Sequence, residues 1–309
     1  MNPAPLVTIA IPAFNPQFFQ VALQSALSQT YPHLEVIVCD DSAGDEIREI
    51  VDACEVPATI CLRYVRNPQR LGFQGNLMAC AQAASGEYLK LLCDDDQLLT
   101  ECIAQQIAGF IDHEDVNLVI AQRQFYDADH IVLADRVANC CFSKGVTLFK
   151  GEDLLAIVEG TPRNFLGNFS AALMRRADIL ALLPVLTQPV GGFLALLDFA
   201  LFICLLRRGN MIMLNTPLSV ERLYPERLSK QAATVQASVT EWGWIKQMLV
   251  ARSGESAPAS GWVRYVPLAD VAVQPRVWKE LCLLRVLGNR QTTIQARVGS
   301  ECESYVEFY

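Results

Sequence analysis

Basic runs, long apolar runs, Cys-x-x-Cys pairs and histidine clusters are all missing from this chain, and each absence argues against a class of function. No Lys/Arg stretch is concentrated enough to track a phosphate backbone, and 25 basic against 33 acidic residues give a formal net charge of -8. A nucleic-acid partner is therefore not expected. Anionic nucleotides stay open, because a metal ion can sit between two negative partners. The longest apolar stretch, Phe193 to Leu206, has 14 residues and is interrupted by Asp198. It is too short to span a bilayer and reads as a buried helix, while its Leu and Phe content, with that of Ile179 to Leu186, leaves peripheral membrane contact open. The start, Met-Asn-Pro-Ala-Pro, has no basic segment, so no secretory signal is expected. His33, His113 and His130 are scattered, and no Cys-x-x-Cys occurs among eleven cysteines. That pattern argues against zinc and suits reduced, buried thiols in a cytosolic protein. No Gly-x-Gly-x-x-Gly follows the first strand and no P-loop is present, which disfavours a dinucleotide oxidoreductase.

What is there is a core-former. Hydrophobic residues make up 52% of the chain and charged residues 19%, enough to bury a sizeable core. The first hundred residues alternate: strand Leu6 to Ile11, helix Phe18 to Gln29, strand Leu34 to Cys39, helix Asp45 to Ala53, strand Ile60 to Val65, helix Gly75 to Ala84 and strand Tyr88 to Cys93. This rhythm predicts a parallel, doubly wound α/β sheet whose ligand lies at the carboxyl ends of the strands. The middle is less regular, with strands predicted over Val116 to Ala121, Asn168 to Met174 and Met211 to Leu214. Helices are predicted over Lys150 to Val158, Leu194 to Arg208 and Thr234 to Arg252. Ser253 to Gly261 reads as a linker. A tail follows, with a helix near Val277 to Leu287 and a hairpin over Thr293 to Tyr309.

Two acidic clusters fall at strand ends. Asp94-Asp95-Asp96 places three repelling carboxylates directly after an apolar strand, which costs stability unless something cationic binds there. Mg²⁺ or Mn²⁺, with a preference for oxygen ligands and open positions for phosphate, suits such a cluster. The alternative is a solvated acidic turn capping the next helix. Asp40-Asp41 can accept from a nucleobase N–H or can form an Asx-turn. Between the clusters, the segment from Arg66 to Asn76 offers glycines for close backbone approach and arginines for phosphate.

Taken in order, Val-Thr-Ile-Ala-Ile-Pro-Ala-Phe-Asn (7–15), Val-Cys-Asp-Asp-Ser (38–42), Asn-x-x-x-x-Gly (67–72) and Ala-Ser-Gly-Glu-Tyr-Leu-Lys-Leu-Leu-Cys-Asp-Asp-Asp (84–96) resemble the nucleotide-binding half of family 2 glycosyltransferases. The likeness is close over residues 6 to about 105 and looser over about 165 to 229. It implies a GT-A fold, a Rossmann-like, mostly parallel sheet flanked by helices, with a small C-terminal extension. It divides the chain into a 1–229 glycosyltransferase domain (1–105 nucleotide-binding, 106–229 acceptor), a helical extension 230–252, the linker 253–261 and an accessory segment 262–309.

The resemblance implies roles by position. Pro12, Ala13, Phe14 and Asn15 would lie along the nucleoside, and Asp41 would contact the base. Arg66, Asn67, Gly72 and Asn76 would belong to the nucleotide-sugar site. Asp94 or Asp95 would face the ribose, and Asp96, with Asp94 as a second ligand, would hold the metal beside the diphosphate. Asp198 stands 102 residues after Asp96 in a helix resembling the one that carries the family's general base, although the usual acid before it is Leu197. An acid in so apolar a stretch invites a raised pKa, which suits a base. Glu221 to Ser229 resembles the family's Arg-x-His-Pro-x-x-x-Ser segment, with Arg222 toward the diphosphate and Tyr224 at the histidine position, where no imidazole ligand is then available. The implied reaction is metal-assisted, inverting transfer of a sugar, hexosyl in kind, from a nucleotide diphosphate sugar to a glycan, lipid-linked or protein hydroxyl. It would run in the cytoplasm or at the cytoplasmic face of a membrane, in polysaccharide assembly. The alternatives are a non-catalytic nucleotide-sugar-binding module and a nucleotidyltransferase, the latter expected to carry a Gly-rich basic loop where this chain has Pro-Ala-Phe-Asn-Pro.

Overall fold

The computed structural model describes residues 4–111, 113–133, 146–160, 164–188, 192–250 and 265–267. Its first part is β1 (Val7–Ala13), α1 (Pro16–Leu27), β2 (Leu34–Asp40), α2 (Glu46–Ala53), β3 (Ile60–Arg66), α3 (Gly72–Ala83) and β4 (Tyr88–Leu91). All boundaries fall within three residues of those read from the sequence. Helix α1 begins earlier than its apolar spacing suggests for a local reason. Asn15 is extended and accepts the Gln17 N–H at 3.1 Å, and Pro16 takes the first helical position.

The remainder is β5 (Gln97–Leu98), α4 (Cys102–Ala108), β6 (Val116–Tyr126), β7 (Val146–Phe149), α5 (Gly151–Gly160), β8 (Ala172–Arg175), α6 (Arg176–Leu186), α7 (Leu197–Leu206), β9 (Asn210–Arg222), α8 (Ala232–Val250) and β10 (Tyr265–Pro267). The expected strand at Asn168 to Met174 starts instead as a 3₁₀ turn, Phe169–Ala171. Strands β6 and β9 run well past their predicted ends, because polar residues such as Arg123 and Ser219 continue the ladder where no apolar pattern marks it. The linker Ser253 to Gly261, the tail helix and hairpin, and Cys140, Cys141, Cys282 and Cys302 lie outside the described residues. The described cysteines are all free thiols; Cys39, Cys80 and Cys102 are buried and Cys61 is exposed.

The sheet order is β3-β2-β1-β4-β8-β6-β9-β7-β10, with β5 paired to β9 off this path. Strands β3, β2, β1 and β4 are mutually parallel. Beyond β4 the sheet is mixed: β8 runs antiparallel to β4 and β6, whereas β6 and β9 are parallel. The strand–helix alternation that forces parallel pairing is not kept there. Apolar residues pack on both faces, with α3, α6 and α7 on one and α1, α2 and α4 on the other. Within α7 every residue but Asp198 and Cys204 is buried, so the Leu197 to Leu206 part of the apolar run is mostly core; Leu194 to Leu196, expected in the helix, precede it and are half-buried. Among the described residues no helix is long and apolar enough to cross a membrane.

One topological fact places the site. From β1 the chain builds outward through β2 to β3, then crosses back to put β4 on the other side of β1. Such a reversal leaves a crevice beyond the strands' carboxyl ends, between β1 and β4.

Candidate active site

Strand β4 pairs with β1 only over Val7–Ala10, so the chain ends beyond it diverge around a cleft of ≈ 840 Å³. Its wall includes Pro12, Phe14, Asn15, Asp41, Gly72, Asn76, Asp94, Asp95, Asp96, Asp198 and Arg222. Topology thus gathers most of the residues singled out in the sequence. Ala13, Arg66 and Asn67 are not on that wall.

Asp41 is buried and anchors the loop after β3. Its Oδ1 accepts from Asn67 Nδ2 at 2.9 Å and from the Leu71 N–H at 2.7 Å, and its Oδ2 accepts from the Gly72 N–H at 2.8 Å. Gly72 sits at φ +70°, a left-handed conformation that favours glycine. Asn67 also donates to Asn76 Oδ1, and Asn76 Nδ2 donates to the carbonyls of Cys39 and Ala13 at 2.9 and 3.2 Å. Asn67 and Asn76 therefore tie the ends of β1 and β2 to this loop. Arg66 turns the other way, pairing with Asp45 and donating to the Gly44 carbonyl at 2.7 Å. From this loop it is Arg70 that reaches the cleft, 4.5 Å over the exposed ring of Phe14.

The three adjacent acids have three different surroundings. Asp94 Oδ2 accepts from the backbone N–H groups of Phe14 and Asn15 at 2.7 and 2.8 Å, which fixes the β1–α1 loop. Burial and then the charge of Asp95 push its carboxyl up to about 7. Asp95 accepts from the Tyr224 hydroxyl at 3.0 Å, so Tyr224 meets the acid cluster as a hydrogen-bond donor. Asp96 is buried and accepts from Asn168 Nδ2 at 2.7 Å and the Arg222 N–H at 3.1 Å. Burial, followed by Asp95 and Glu221, pushes it well above the usual carboxylate range.

Crowded, desolvated carboxylates of this kind favour a cation. Among the described residues, Cys93, Asp95 and Asp96 bring ligand atoms within 4.8 Å of one another, whereas Asp94 is committed to the loop. The two carboxylates suit Mg²⁺ or Mn²⁺, and a thiol held protonated by burial does not. Beside them the Asn168 carboxamide oxygen is buried without a partner. Beneath, Lys90 is fully buried, donates to Gln106 at 2.7 Å and feels Asp96 electrostatically.

Arg222 was expected toward the diphosphate, yet its guanidinium is largely engaged in holding backbone. It donates to the Asp95 and Asp127 carbonyls at 3.1 and 3.0 Å and stacks 4.3 Å over Phe18. In the wall of the same cleft, Asp198 sits in the first turn of α7. It accepts from the Phe199 N–H at 2.7 Å and from Asn164 Nδ2 at 3.4 Å. Burial pushes its carboxyl up to about 7, opposed by Arg123 and reinforced by Glu221. Glu221 bridges Arg123 at 2.7 Å and Arg227 at 3.1 Å, and all three line the cleft. Of the arginines that the sequence offered for phosphate, the structure brings Arg70 and not Arg66 to the wall; sequence reasoning gave no site role to Arg123, Glu221, Asn164 and Asn168, which also line it. The available signal was position: Arg70, Arg123 and Glu221 lie toward or beyond the carboxyl ends of β3, β6 and β9, and Asn164 and Asn168 precede the antiparallel β8; β6 and β9 extend beyond any apolar pattern.

The family model described as "Glycosyl transferase family 2" matches residues 8–180, more than half of the chain. An Escherichia coli protein, UDP-Glc:alpha-D-GlcNAc-diphosphoundecaprenol beta-1,3-glucosyltransferase WfaP, is 35% identical over 103 residues, 33% of this chain and 40% of that protein. A Campylobacter jejuni protein, GalNAc(5)-diNAcBac-PP-undecaprenol beta-1,3-glucosyltransferase, is 29% identical over 101 residues, 32% of this chain and 33% of its own. The chain thus spans well under half the length of these relatives. In three dimensions the crystal structure of S. aureus TarS 1-349 in complex with UDP-GlcNAc matches with a TM-score of 0.61 at 12% identity. That match covers 96% of this chain and 77% of the other, and it shows a shared fold.

The anchoring network can be tested by thermal denaturation. Asn76→Ala removes the side-chain donors to two carbonyls and should cost about 2 kcal/mol or more. Arg66→Ala, which removes an exposed pair, should leave the midpoint almost unchanged.

Proposed function

The chain belongs to glycosyl transferase family 2, and on that premise we propose that it moves a sugar from a nucleotide diphosphate sugar to a hydroxyl acceptor with inversion at the anomeric carbon. The observation that carries this reading is a single cleft with two separate acid sites, the cluster after β4 and Asp198 at the start of α7. One suits the leaving diphosphate and the other the nucleophile.

The donor occupies the crevice beyond β1 and β4. Pro12, Phe14 and Asn15 run along the nucleoside, on a loop that Asp94 holds in place through its two backbone bonds. Asp41 shapes the base pocket by ordering the Leu71–Gly72 turn. Arg70, on the same wall, supplies a positive side chain. Asp95 and Asp96 are the residues that would hold a divalent ion, which when bound offsets charge on the diphosphate. Tyr224 and Arg222 keep that acidic turn in shape from β9 and the segment after it.

Asp198 takes the proton of the acceptor hydroxyl as its oxygen bonds to the anomeric carbon and the bond to the diphosphate oxygen breaks. Leu197, at the position where the family usually has an acid, is buried core, so Asp198 carries this task without an acidic neighbour on that side. A uridine donor is supported by the names of the E. coli relative and of the TarS complex. A lipid-diphosphate-linked acceptor is supported by the names of both bacterial relatives. We assign 1–229 to the catalytic domain and 230–252 to a helical extension, of which α8 (Ala232–Val250) packs on that domain. A non-catalytic nucleotide-binding module is the less favoured reading, because it gives no role to a half-buried acid on the acceptor wall.

Two measurements test this reading. In a thermal-shift panel of nucleotide sugars with and without Mn²⁺, one donor should stabilise the chain in a Mn²⁺-dependent way. Asp96→Asn should lose the Mn²⁺ dependence. If no donor shifts the wild type in either condition, the donor site is wrongly read. Asp198→Asn should keep the donor shift and lose transfer; full transfer activity in that variant would remove Asp198 as base. A base must be deprotonated, and burial has raised this one, so the wild-type rate should rise with pH to about 7 and level above it. Below that point it should fall about tenfold per pH unit. A rate flat from pH 5 to 8 contradicts the assignment.

A further inference from the structure

Helix α8 carries an acid on its buried face. Thr234, Glu241, Ile245 and Leu249 form one buried stripe, and Glu241 is only 1% exposed. Among the described residues no basic side chain pairs with it. Three consecutive backbone amides meet its carboxylate instead. Leu194 and Ala195 donate to Oε1 at 2.8 and 3.1 Å, and Ala195 and Leu196 donate to Oε2 at 3.0 and 2.7 Å. These amides lie immediately before α7, whose first turn bears Asp198. The contact is reinforced on both sides, since Trp242 packs edge-on against Phe199 and Trp244 against Phe193, each at 5.5 Å. Leu194, Ala195 and Asp198 all line the cleft.

We propose that Glu241 is a positioning residue for the transfer reaction: by occupying the amides of residues 194–196 it fixes the turn from which Asp198 faces the acceptor. This inference rests on the reading of Asp198 as the base. The physical reason is competition. The amides at a helix start need an acceptor, and a first-turn aspartate is a ready one. With Glu241 in place, Asp198 keeps only the Phe199 N–H and Asn164 as donors and its carboxylate remains on the cleft wall. Without Glu241, Asp198, two residues on from Leu196, is an acid able to swing back over the vacated amides, and the base leaves the acceptor. A glutamine cannot substitute, because one of its two terminal atoms is a donor facing donors.

The test compares full-length wild type, Glu241→Gln and Asp198→Asn, reading UDP release from UDP-glucose with Mn²⁺ and water as acceptor, or from whichever donor the shift panel selects. Glu241→Gln should lower kcat roughly tenfold or more with donor KM nearly unchanged. It should also move the midpoint of the pH–rate profile downward, because a carboxylate that accepts from the vacated amides ionises more readily. The other groups facing Asp198, Arg123 from β6, Glu221 from β9 and Asn164, are the same in both proteins. A loss of folded protein alone would reduce the rate without moving the midpoint. An unchanged kcat and midpoint beside an inactive Asp198→Asn overturns this inference and leaves the base assignment standing. Full activity of Asp198→Asn overturns the base and the inference together. Should Glu241→Gln not fold, hydrogen exchange on the wild type decides. Slow exchange of the amides of residues 194–196 supports the clamp, and exchange at the rate of exposed loops refutes it.

Discussion

The backbone amide–carboxylate hydrogen bond is the interaction on which this molecule's cleft depends. Asp94 holds the loop after β1, Asp41 the turn before α3, Asp96 the end of β9 and Glu241 the turn before α7. In each case a carboxylate meets N–H groups that strand or helix ladders leave unpaired. Such charge-assisted bonds are short and strong when water is excluded, and an orphaned amide in the same place would be costly. The walls are thus shaped by acids, which explains a protein that is acidic overall yet is read as binding an anionic donor.

The same arrangement concentrates negative charge. Asp94, Asp95 and Asp96 leave the end of β4 together, and burial raises all three from the ordinary aspartate value. Lys90 and Arg222 reach the cluster from beneath and beside, but Arg222 donates to carbonyl oxygens and Lys90 to a carboxamide. The residual charge is what a divalent ion and a diphosphate would together complete. Around Asp198 the balance differs. Glu221 is shared between two arginines, and Asp198 stands near them as an acid whose ionisation falls close to neutrality. Glu221 raises Asp95 and Asp96 as well as Asp198, so one acid couples the two acid sites electrostatically.

Much of this was legible in the chain itself. Apolar runs of strand and helix period fixed β1 to β4 within a few residues, since a buried parallel strand cannot hide its composition. The acid triplet and Asp198 stood out because charges are rare beside core. The second half was harder, because β6 and β9 continue through polar residues, and the pairing that extends them lies between segments far apart in the chain. Gly72 and Asn76 were found by motif, and the structure gives Asn76 a scaffolding task that no spacing could reveal.

By itself, then, the sequence determined which residues are chemically capable: the acids, the arginines and the apolar strands that must be buried. Only the tertiary structure decided which of them face the cleft. Arg66 and Arg70 are four residues apart and indistinguishable in type, yet one closes a loop and the other stacks on Phe14. Adjacent aspartates anchor a loop, accept a tyrosine hydroxyl and meet an asparagine. Orientation depends on partners that folding brings from across the chain, and a single side chain carries no record of them.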